Sequence, residues 1–217
     1  PKAGVTPYEH VMLIDGNDDR GIDVAILCRK SFEIVRMLSH VDDSDDKGIV
    51  FSRDCAEYEI RTAEGNRLLL LVNHFKSKIG GGGDKRRRQA QRVREIYDAR
   101  RGEGHDFVAV AGDLNEVPDG SPLDPLLRNN STLTDIMVHP SFAGDGRPGT
   151  HGNGAKSGKL DYILMSPELS ARVTAGGIER RGVWGGQNGT LFPHLQEMET
   201  AKDAASDHAA LFAAFDL

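Results

Sequence analysis

Short apolar runs of strand length recur along this chain and constrain its fold more than any other feature. The first four read GIDVAILCRK, FEIVRMLSHV, EYEIRTA and RLLLLVNHF. Polar or glycine-bearing connections separate the first three, and such connections favour hairpins. We therefore expect these runs to form one antiparallel series of strands.

A helical pattern follows the fourth run, within GGGGDKRRRQAQRVREIYDARRGEG. Ala90, Val93 and Tyr97 recur at helical spacing between a glycine-rich start and a glycine exit. Beyond it the sequence predicts a strand at FVAVAGD, a short helical stretch near SPLDPLLRNN, and strands at KLDYILMS and AALFAAFDL. The order of elements predicts a mixed α/β chain.

The chain length of 217 residues favours a single domain over residues 1–217, because a division would leave two small cores. No uninterrupted apolar stretch is long enough to cross a bilayer, so we expect a soluble protein, either cytoplasmic or secreted. Cys28 and Cys55 form neither a metal-binding spacing nor a disulfide framework. The net charge of -6 argues against a uniformly basic surface for nucleic acid.

The segment FVAVAGDLN ends an apolar run with a carboxylate and an amide two residues apart. Successive side chains of a strand point to opposite faces, so Asp113 and Asn115 would project to one side while Leu114 points away. Two interpretations stand, because Gly, Asp and Asn also form ordinary turns. The motif indicates either a turn or one side of a functional site.

Polar side chains also end or begin other strands. They are Asn73, His74, Lys76 and Lys78 after RLLLLV, Asp161 at the start of DYILMS, and Asp207 and His208 before the last strand. Taken singly, each has an ordinary structural role as a cap, a strand edge or a surface acid. Their joint occurrence at strand ends predicts a site that combines carboxylates, imidazoles and amides.

The segments NHFKSK, GDLN, LDYIL and SDH, in this order, resemble the endonuclease/exonuclease/phosphatase superfamily, which includes deoxyribonuclease I and the abasic-site endonucleases. GNDDRGIDVAILCRK resembles the segment that precedes them in bacterial members, so the resemblance runs from about Gly16 to the C-terminus. It implies an α/β (α+β) four-layer sandwich of two mixed, largely antiparallel sheets flanked by helices.

The resemblance also implies roles for individual residues. His208 would be hydrogen-bonded to Asp161 and act at the attacking water. Asp113 and Asn115 would orient the nucleophile and hold a phosphate oxygen or a metal, and Asp207 would be a further metal ligand. His74 would contact the scissile phosphate and is a candidate proton donor. The remaining candidate phosphate contacts are Arg20, Asn73, Lys76 and Lys78.

Oxygen ligands at Asp113, Asn115 and Asp207 suit a hard cation, for which we expect Mg²⁺, with Mn²⁺ or Ca²⁺ as alternatives. The sequence therefore predicts a metal-dependent phosphodiester hydrolase, a nuclease with little sequence specificity. Two alternatives stay open. One is a phosphatase or phosphodiesterase for a phospholipid head group or small phosphoester, and the other is a non-catalytic phosphate-binding relative.

The chain departs from the family at its N-terminus. Members normally begin with strands that end in an asparagine and in a metal-binding glutamate, and neither strand precedes Gly16 here. Glu197 lies in a polar loop and not at the end of an apolar run, so we do not assign it that role. We expect an N-terminally truncated domain, or else a degenerate relative, with a sheet edge open to self-association.

Two segments bear on the substrate. A basic run could track a phosphate backbone or form the solvated face of a helix; it comprises Lys85, Arg86, Arg87, Arg88, Arg92, Arg94, Arg100 and Arg101. The loop with Trp184, Phe192 and His194 could stack on a base or anchor itself locally. Long loops at Gly144–Lys159 and Thr174–Ser206 are expected to be functional or mobile.

Overall fold

The computed structural model describes residues 6–217. Its elements before the long helix are β1 (His10–Ile14), β2 (Val24–Cys28), β3 (Glu33–Leu38), β4 (Ser44–Asp45), β5 (Gly48–Ile49), β6 (Cys55–Arg61) and β7 (Arg67–His74). They are followed by α1 (Gly83–Gly102), β8 (Phe107–Asp113), α2 (Asp124–Leu127), β9 (Thr134–Asp135), β10 (Phe142–Ala143), β11 (Asp161–Met165), α3 (Pro167–Ser170), β12 (Val173–Glu179) and β13 (Ala210–Phe215).

A six-stranded mixed sheet with the order β3-β6-β7-β8-β11-β9 forms the centre of the molecule. Its β7 and β8 are parallel, and α1 connects them. The other neighbours in this sheet are antiparallel. The expected strands around RLLLLVNHF, FVAVAGD and DYILMS are therefore neighbours at the middle of one sheet.

The expected place of β2 in the first antiparallel series is wrong. The strand pairs with β1, with Met12 opposite Ile26, and β1 itself was not expected. Val24, Ile26 and Cys28 are buried while Ala25 and Leu27 are exposed. This alternation packs β2 face to face against β6 and β7 instead of edge to edge. Hairpin signals in a sequence do not distinguish these two arrangements.

The two faces of the central sheet carry different layers. One face packs against α1 through Leu71, Val110, Val93 and Tyr97, all buried. On the other face lie the β1-β2 pair and, beside it, a three-stranded sheet with the order β10-β12-β13. The mixed α/β architecture with several mixed sheets is confirmed.

Helix α1 carries most of the basic run, and its arginines are engaged in ion pairs with acids of neighbouring segments. The pairs are Arg86 with Glu116, Arg88 with Asp45, Arg92 with Asp43, Arg100 with Glu57 and Arg101 with Glu168. These pairs favour a structural role for the run over a phosphate track. No helix within residues 6–217 is both long and apolar enough to cross a membrane.

Candidate active site

Three neighbouring strands place one candidate residue each at the same end of the central sheet. In the pairing register His74 of β7 lies opposite Asp113 of β8, and Asp113 lies opposite Asp161 of β11. Side chains at paired positions point to the same face of a sheet, here the face away from α1. The register alone therefore brings an imidazole and two carboxylates side by side.

The turn after β8 holds the GDLN motif together. Asn115 adopts a left-handed backbone with φ 51°. Its backbone N–H donates to Asp113 Oδ1 at 2.8 Å, and its Nδ2 donates to Asp113 Oδ2 at 3.0 Å. A side chain at Gly112 would lie 1.9 Å from the carbonyl oxygen of Asn73, so only glycine fits there. The turn interpretation of the motif is confirmed, and this turn orients the Asp113 carboxylate; a functional role for the motif stays a prediction.

His208 reaches this group from the segment before β13. Its Nδ1 lies 2.8 Å from Asp161 Oδ2, and the Thr150 hydroxyl donates to the same oxygen at 2.6 Å. The hydrogen bond to Asp161 raises the pKa of His208. A carboxylate behind an imidazole fixes its tautomer and makes it more basic. The predicted pairing of Asp161 and His208 is present in the structure.

Burial shifts the other two titratable groups. It raises the pKa of Asp113 to about 6, and the negative charge of Asp161 adds to this effect. Burial also lowers the pKa of His74 to about 4, with the nearby charges of Arg53 and His208 acting in the same direction. In the metal-free protein near neutral pH, His74 is therefore neutral. Asp113 is ionised there, although burial makes its ionised form energetically unfavourable.

These residues fit a divalent cation. Ligand atoms of Asp113, Asp161 and His208 lie within 4.8 Å of one another. Two carboxylates at this distance repel each other, and a hard cation between them would relieve that repulsion. A second such group joins His151, Asp207 and His208, so Asp207 lies apart from Asp113. Neither group, within residues 6–217, includes a glutamate.

Comparison with known families agrees with this geometry. Residues 2–208 match the Endonuclease/Exonuclease/phosphatase family. The chain belongs to this family. No curated protein matches it significantly by sequence.

Solved structures of this family share the fold of the chain. An endonuclease/exonuclease/phosphatase family protein from Bacteroides thetaiotaomicron is 22% identical, with a TM-score of 0.60 and coverage of 78% of this chain and 63% of its own. The mannosyl-6-phosphatase Bt3783 of the same organism is 22% identical, with a TM-score of 0.60 and coverage of 77% and 66%. Truncated Caenorhabditis elegans TDP2 is 18% identical, with a TM-score of 0.60 and coverage of 86% and 67%. The chain thus spans about two thirds of the length of these relatives.

The candidate site lies in a cleft of about 670 Å³. The predicted residues that line it are Arg20, His74, Lys78, Asp113, Asn115, Asp161, Asp207 and His208. Asn73 and Lys76 do not line it. Asn73 points to the opposite, buried face and donates to the Leu71 carbonyl at 2.9 Å, because it alternates with His74 along β7. Lys76 Nζ donates to carbonyls of its own loop.

Two of the predicted phosphate contacts already have acidic partners. Arg20 pairs with Asp18, with Nε 3.0 Å from Oδ1, and Lys78 Nζ lies 2.7 Å from Glu116 Oε1. Arg20 is exposed and can exchange its partner for a phosphate at small cost, since surface ion pairs contribute little. Lys78 is held more firmly, because Glu116 is only 6% exposed.

The structure adds residues that the sequence analysis missed. Arg53 lines the cleft although it is only 1% exposed, donating to the Phe75 carbonyl at 3.0 Å and pairing with Asp18 at 2.8 Å. Its Nε is buried and has no hydrogen-bond partner in the described part of the chain. His151 Nε2 lies 3.3 Å from Asp207 Oδ2. The sequence signal for His151 was its place in the long Gly144–Lys159 loop, whereas Arg53 had none.

The Trp184 loop folds upon itself. The indole stacks on His194 with ring centroids 5.0 Å apart, and His194 Nε2 lies 2.7 Å from the Trp184 carbonyl oxygen. Phe192 is buried against Arg147 and Arg180. None of these aromatic residues lines the cleft. The loop is a local anchor, and its geometry does not favour stacking on a base.

Proposed function

We propose that this chain is a magnesium-dependent phosphodiester hydrolase that acts on nucleic acid with little sequence preference. The observation that carries the proposal is the alignment of His74, Asp113 and Asp161 on three adjacent strands. His208 faces this row from the second layer and is hydrogen-bonded to Asp161 at 2.8 Å. Family membership supports phosphoester cleavage, and the resemblance to deoxyribonuclease I supports nucleic acid as the substrate.

His208 is suited to take a proton from the attacking water. A phosphodiester is anionic and repels hydroxide, so water must lose its proton as it attacks. The other ring nitrogen of His208 is engaged by Asp161, which Thr150 holds in turn. This chain of hydrogen bonds aims the free nitrogen and stabilises the imidazolium that forms.

Asp113 and Asp161 are the carboxylates that would hold the magnesium ion, and Asn115 lies beside Asp113. Asp207, which the motifs also suggest as a ligand, lies in the second group with His151 and would hold a metal there. A bound divalent cation supplies positive charge to the non-bridging phosphate oxygens. Arg20 and the buried Arg53 face the same cleft and add donors for these oxygens.

His74 is assigned as a donor to the phosphate and not as the acid that protonates the leaving oxygen. Its pKa is lowered to about 4 by burial and by the charges of Arg53 and His208. A neutral imidazole still donates one N–H hydrogen bond, whereas its protonated fraction near pH 7 is small. Of the two roles that the family resemblance suggests, the lowered pKa of His74 supports the contact to the phosphate.

A phosphomonoesterase is the second candidate. The observation that favours it is the structural similarity to the mannosyl-6-phosphatase Bt3783. The two candidates differ in charge at the scissile phosphate, since a monoester dianion offers one more oxygen to the donors in the cleft.

The test compares plasmid DNA, RNA, bis(p-nitrophenyl) phosphate and mannose 6-phosphate as substrates, with Mg²⁺ and with EDTA. We expect hydrolysis of the first three that EDTA abolishes. His208→Ala and Asp113→Ala should each lose most of it, while His105→Ala, a histidine outside the cleft, keeps it. Cleavage of mannose 6-phosphate alone would replace the proposal by the second candidate. Phosphate binding without turnover on any substrate would indicate a non-catalytic relative.

A further inference from the structure

The segment from Lys76 to Gly83, here called the cleft arm, connects β7 to α1 and borders the candidate active site. It follows His74 closely and ends in four consecutive glycines. Gly80, Gly81 and Gly82 all adopt positive φ, at 74°, 90° and 84°. Glycine has no Cβ and adopts positive φ without steric strain, so this run of glycines lets the backbone turn tightly. The arm is therefore built to turn sharply beside the cleft.

One buried arginine of α1 hydrogen-bonds to the backbone of the cleft arm. Arg86 of α1 is only 5% exposed. Its Nη1 donates to the carbonyl oxygens of Lys76 at 3.2 Å, Ser77 at 3.1 Å and Gly81 at 3.1 Å. Three hydrogen bonds from one guanidinium hold both ends of the turn together.

Glu116 completes this support from the β8 side. It accepts Arg86 Nη2 at 3.0 Å and Lys78 Nζ at 2.7 Å. Arg86 and Glu116 are both buried, so their ion pair is little screened by solvent. Despite its glycines, the arm has a defined position relative to the GDLN turn.

Ile79 lies at the tip of the arm and is displayed to solvent. Its side chain is 85% exposed, more than any other large hydrophobic residue in the described part of the chain. Its backbone is tied down, because its N–H donates to Ser77 Oγ at 3.2 Å and its carbonyl accepts from Lys76 Nζ at 3.3 Å. Because the Ile79 side chain stays in contact with water, it contributes no hydrophobic free energy to folding.

Ile79 also lines the candidate active-site cleft. The other apolar residues that line it are Leu160, which is buried, and Ile22, which is partly exposed. Most of the remaining lining is charged or polar. The tip of the arm thus offers an apolar surface next to groups that suit a phosphate.

We propose that Ile79 is a specificity-determining residue that packs against a flat, apolar organic group attached to the scissile phosphate. This inference rests on the proposed phosphodiesterase function and deepens it. A nucleobase and a simple aromatic ring share the required chemistry. Burying part of an isoleucine side chain against such a group stabilises the complex, and the polar remainder of the cleft binds the phosphate.

The test uses three diesters with one leaving group. They are thymidine 5′-(p-nitrophenyl) phosphate, phenyl p-nitrophenyl phosphate and methyl p-nitrophenyl phosphate, and the readout is the ratio of kcat/KM between esters. Ile79→Ser should lower the thymidyl-to-methyl ratio about five- to tenfold, as expected for losing part of one buried side chain. Ile79→Leu should retain the ratio. Val138→Ser, which alters another highly exposed apolar residue outside this cleft, should also retain it.

The outcomes separate the sources of the apolar group. A loss on both the thymidyl and the phenyl ester means that any flat ring is recognised, and a loss on the thymidyl ester alone means a nucleoside. Unchanged kcat/KM of Ile79→Ser on all three esters would overturn the proposal, whereas an equal loss on all three means that Ile79 contacts the p-nitrophenyl ring that they share.

Failure of the proposed function has a different signature, which is no hydrolysis of any ester by the wild-type chain with Mg²⁺. Calorimetric binding of thymidine 5′-phosphate and methyl phosphate then decides on Ile79. Weaker binding of the nucleotide alone by Ile79→Ser supports the role of Ile79, and equal binding refutes it.

Discussion

Asp161 is held from two sides, by Nδ1 of His208 and by the hydroxyl of Thr150. Thr150 is fully buried and also accepts the Asp161 backbone N–H at 3.1 Å. We expect Thr150→Val to lower kcat about tenfold with a smaller change in KM, because it frees the carboxylate that orients His208. Thr150→Ser, which keeps the hydroxyl, should restore most of kcat. Wild-type kcat in a folded Thr150→Val variant would contradict this positioning role.

The ionised Asp113 carboxylate destabilises the folded, metal-free protein. Burial and the charge of Asp161 raise its pKa to about 6. A raised carboxyl pKa means that the folded state prefers the protonated form, so this group destabilises the protein above that pKa and the penalty disappears as the pH falls toward the unfolded value.

Asp113→Asn should therefore raise the stability of the metal-free protein near pH 8, by on the order of 2 kcal/mol, and change it little near pH 3.5, below the unfolded pKa. Thermal unfolding in EDTA at the two pH values measures this. Asp119→Asn, at an exposed aspartate, is the control. Equal melting temperatures for Asp113→Asn and the wild type near pH 8 would show that the carboxylate carries no such cost.

At the scale of elements, α1 and β6 are joined through a buried carboxylate. Burial opposes the ionisation of Glu57, but hydrogen bonds from His40 and Arg100 outweigh it and lower its pKa to about 2. His40 Nε2 lies 2.5 Å from Glu57 Oε1, and Arg100 Nε lies 2.6 Å from Oε2. A depressed carboxyl pKa contributes stability above the unfolded value, and this stability is lost as the pH falls through the folded one.

Glu57→Gln should consequently destabilise the protein near pH 7 by on the order of 2 kcal/mol and far less near pH 2.5. Urea unfolding at the two pH values measures the difference. Glu64→Gln, in the exposed turn between β6 and β7, serves as the matched control. A penalty of the same size at both pH values would mean that the ion pairs of Glu57 do not govern acid stability.

The elements that build the site were predictable because their signal is local. An apolar run with polar residues at one end marks β7, β8 and β11, and adjacent strands then bring His74, Asp113 and Asp161 together. Arg53 and Thr150 join the site only through long-range packing, which no local periodicity records. The pairing of β2 with β1 was not predicted either, because it also depends on long-range packing. Asn73 was misplaced by one residue, and one residue changes the face of a strand.

At the scale of the whole molecule, the outer face of the β1-β2 pair is apolar. Val11, Leu13 and Leu27 are 61%, 58% and 52% exposed. Self-association through an open sheet edge stays a prediction, and this apolar face is a second surface at which we expect association. The double variant Leu13→Ser with Leu27→Ser should be less associated than the wild type in sedimentation velocity at high concentration. Ile49→Ser, at an exposed isoleucine on β5, should behave as wild type. A strictly monomeric wild type would refute the prediction.

The cleft also joins the two layers of the molecule. His74, Asp113 and Asp161 belong to the central sheet, whereas His208 directly precedes β13 of the three-stranded sheet. A ligand that contacts both sides binds the folded state alone, so it must raise the free energy of unfolding. Mg²⁺ with inorganic phosphate, at about ten times its dissociation constant, should raise the melting temperature by roughly 2–5 °C.

The contribution of the layer that holds the three-stranded sheet to this rise in melting temperature can be measured with a variant. His208→Ala removes the imidazole that is hydrogen-bonded to Asp161 from that layer, so the rise should fall by at least half at the same ligand concentrations. His105→Ala, in the connection between α1 and β8 and outside the cleft, should keep the full rise. A full rise in His208→Ala would mean that magnesium and phosphate are held by the central sheet alone. The catalytic assignment of His208 would then have to rest on kinetics, since the ligand would not reach across the cleft.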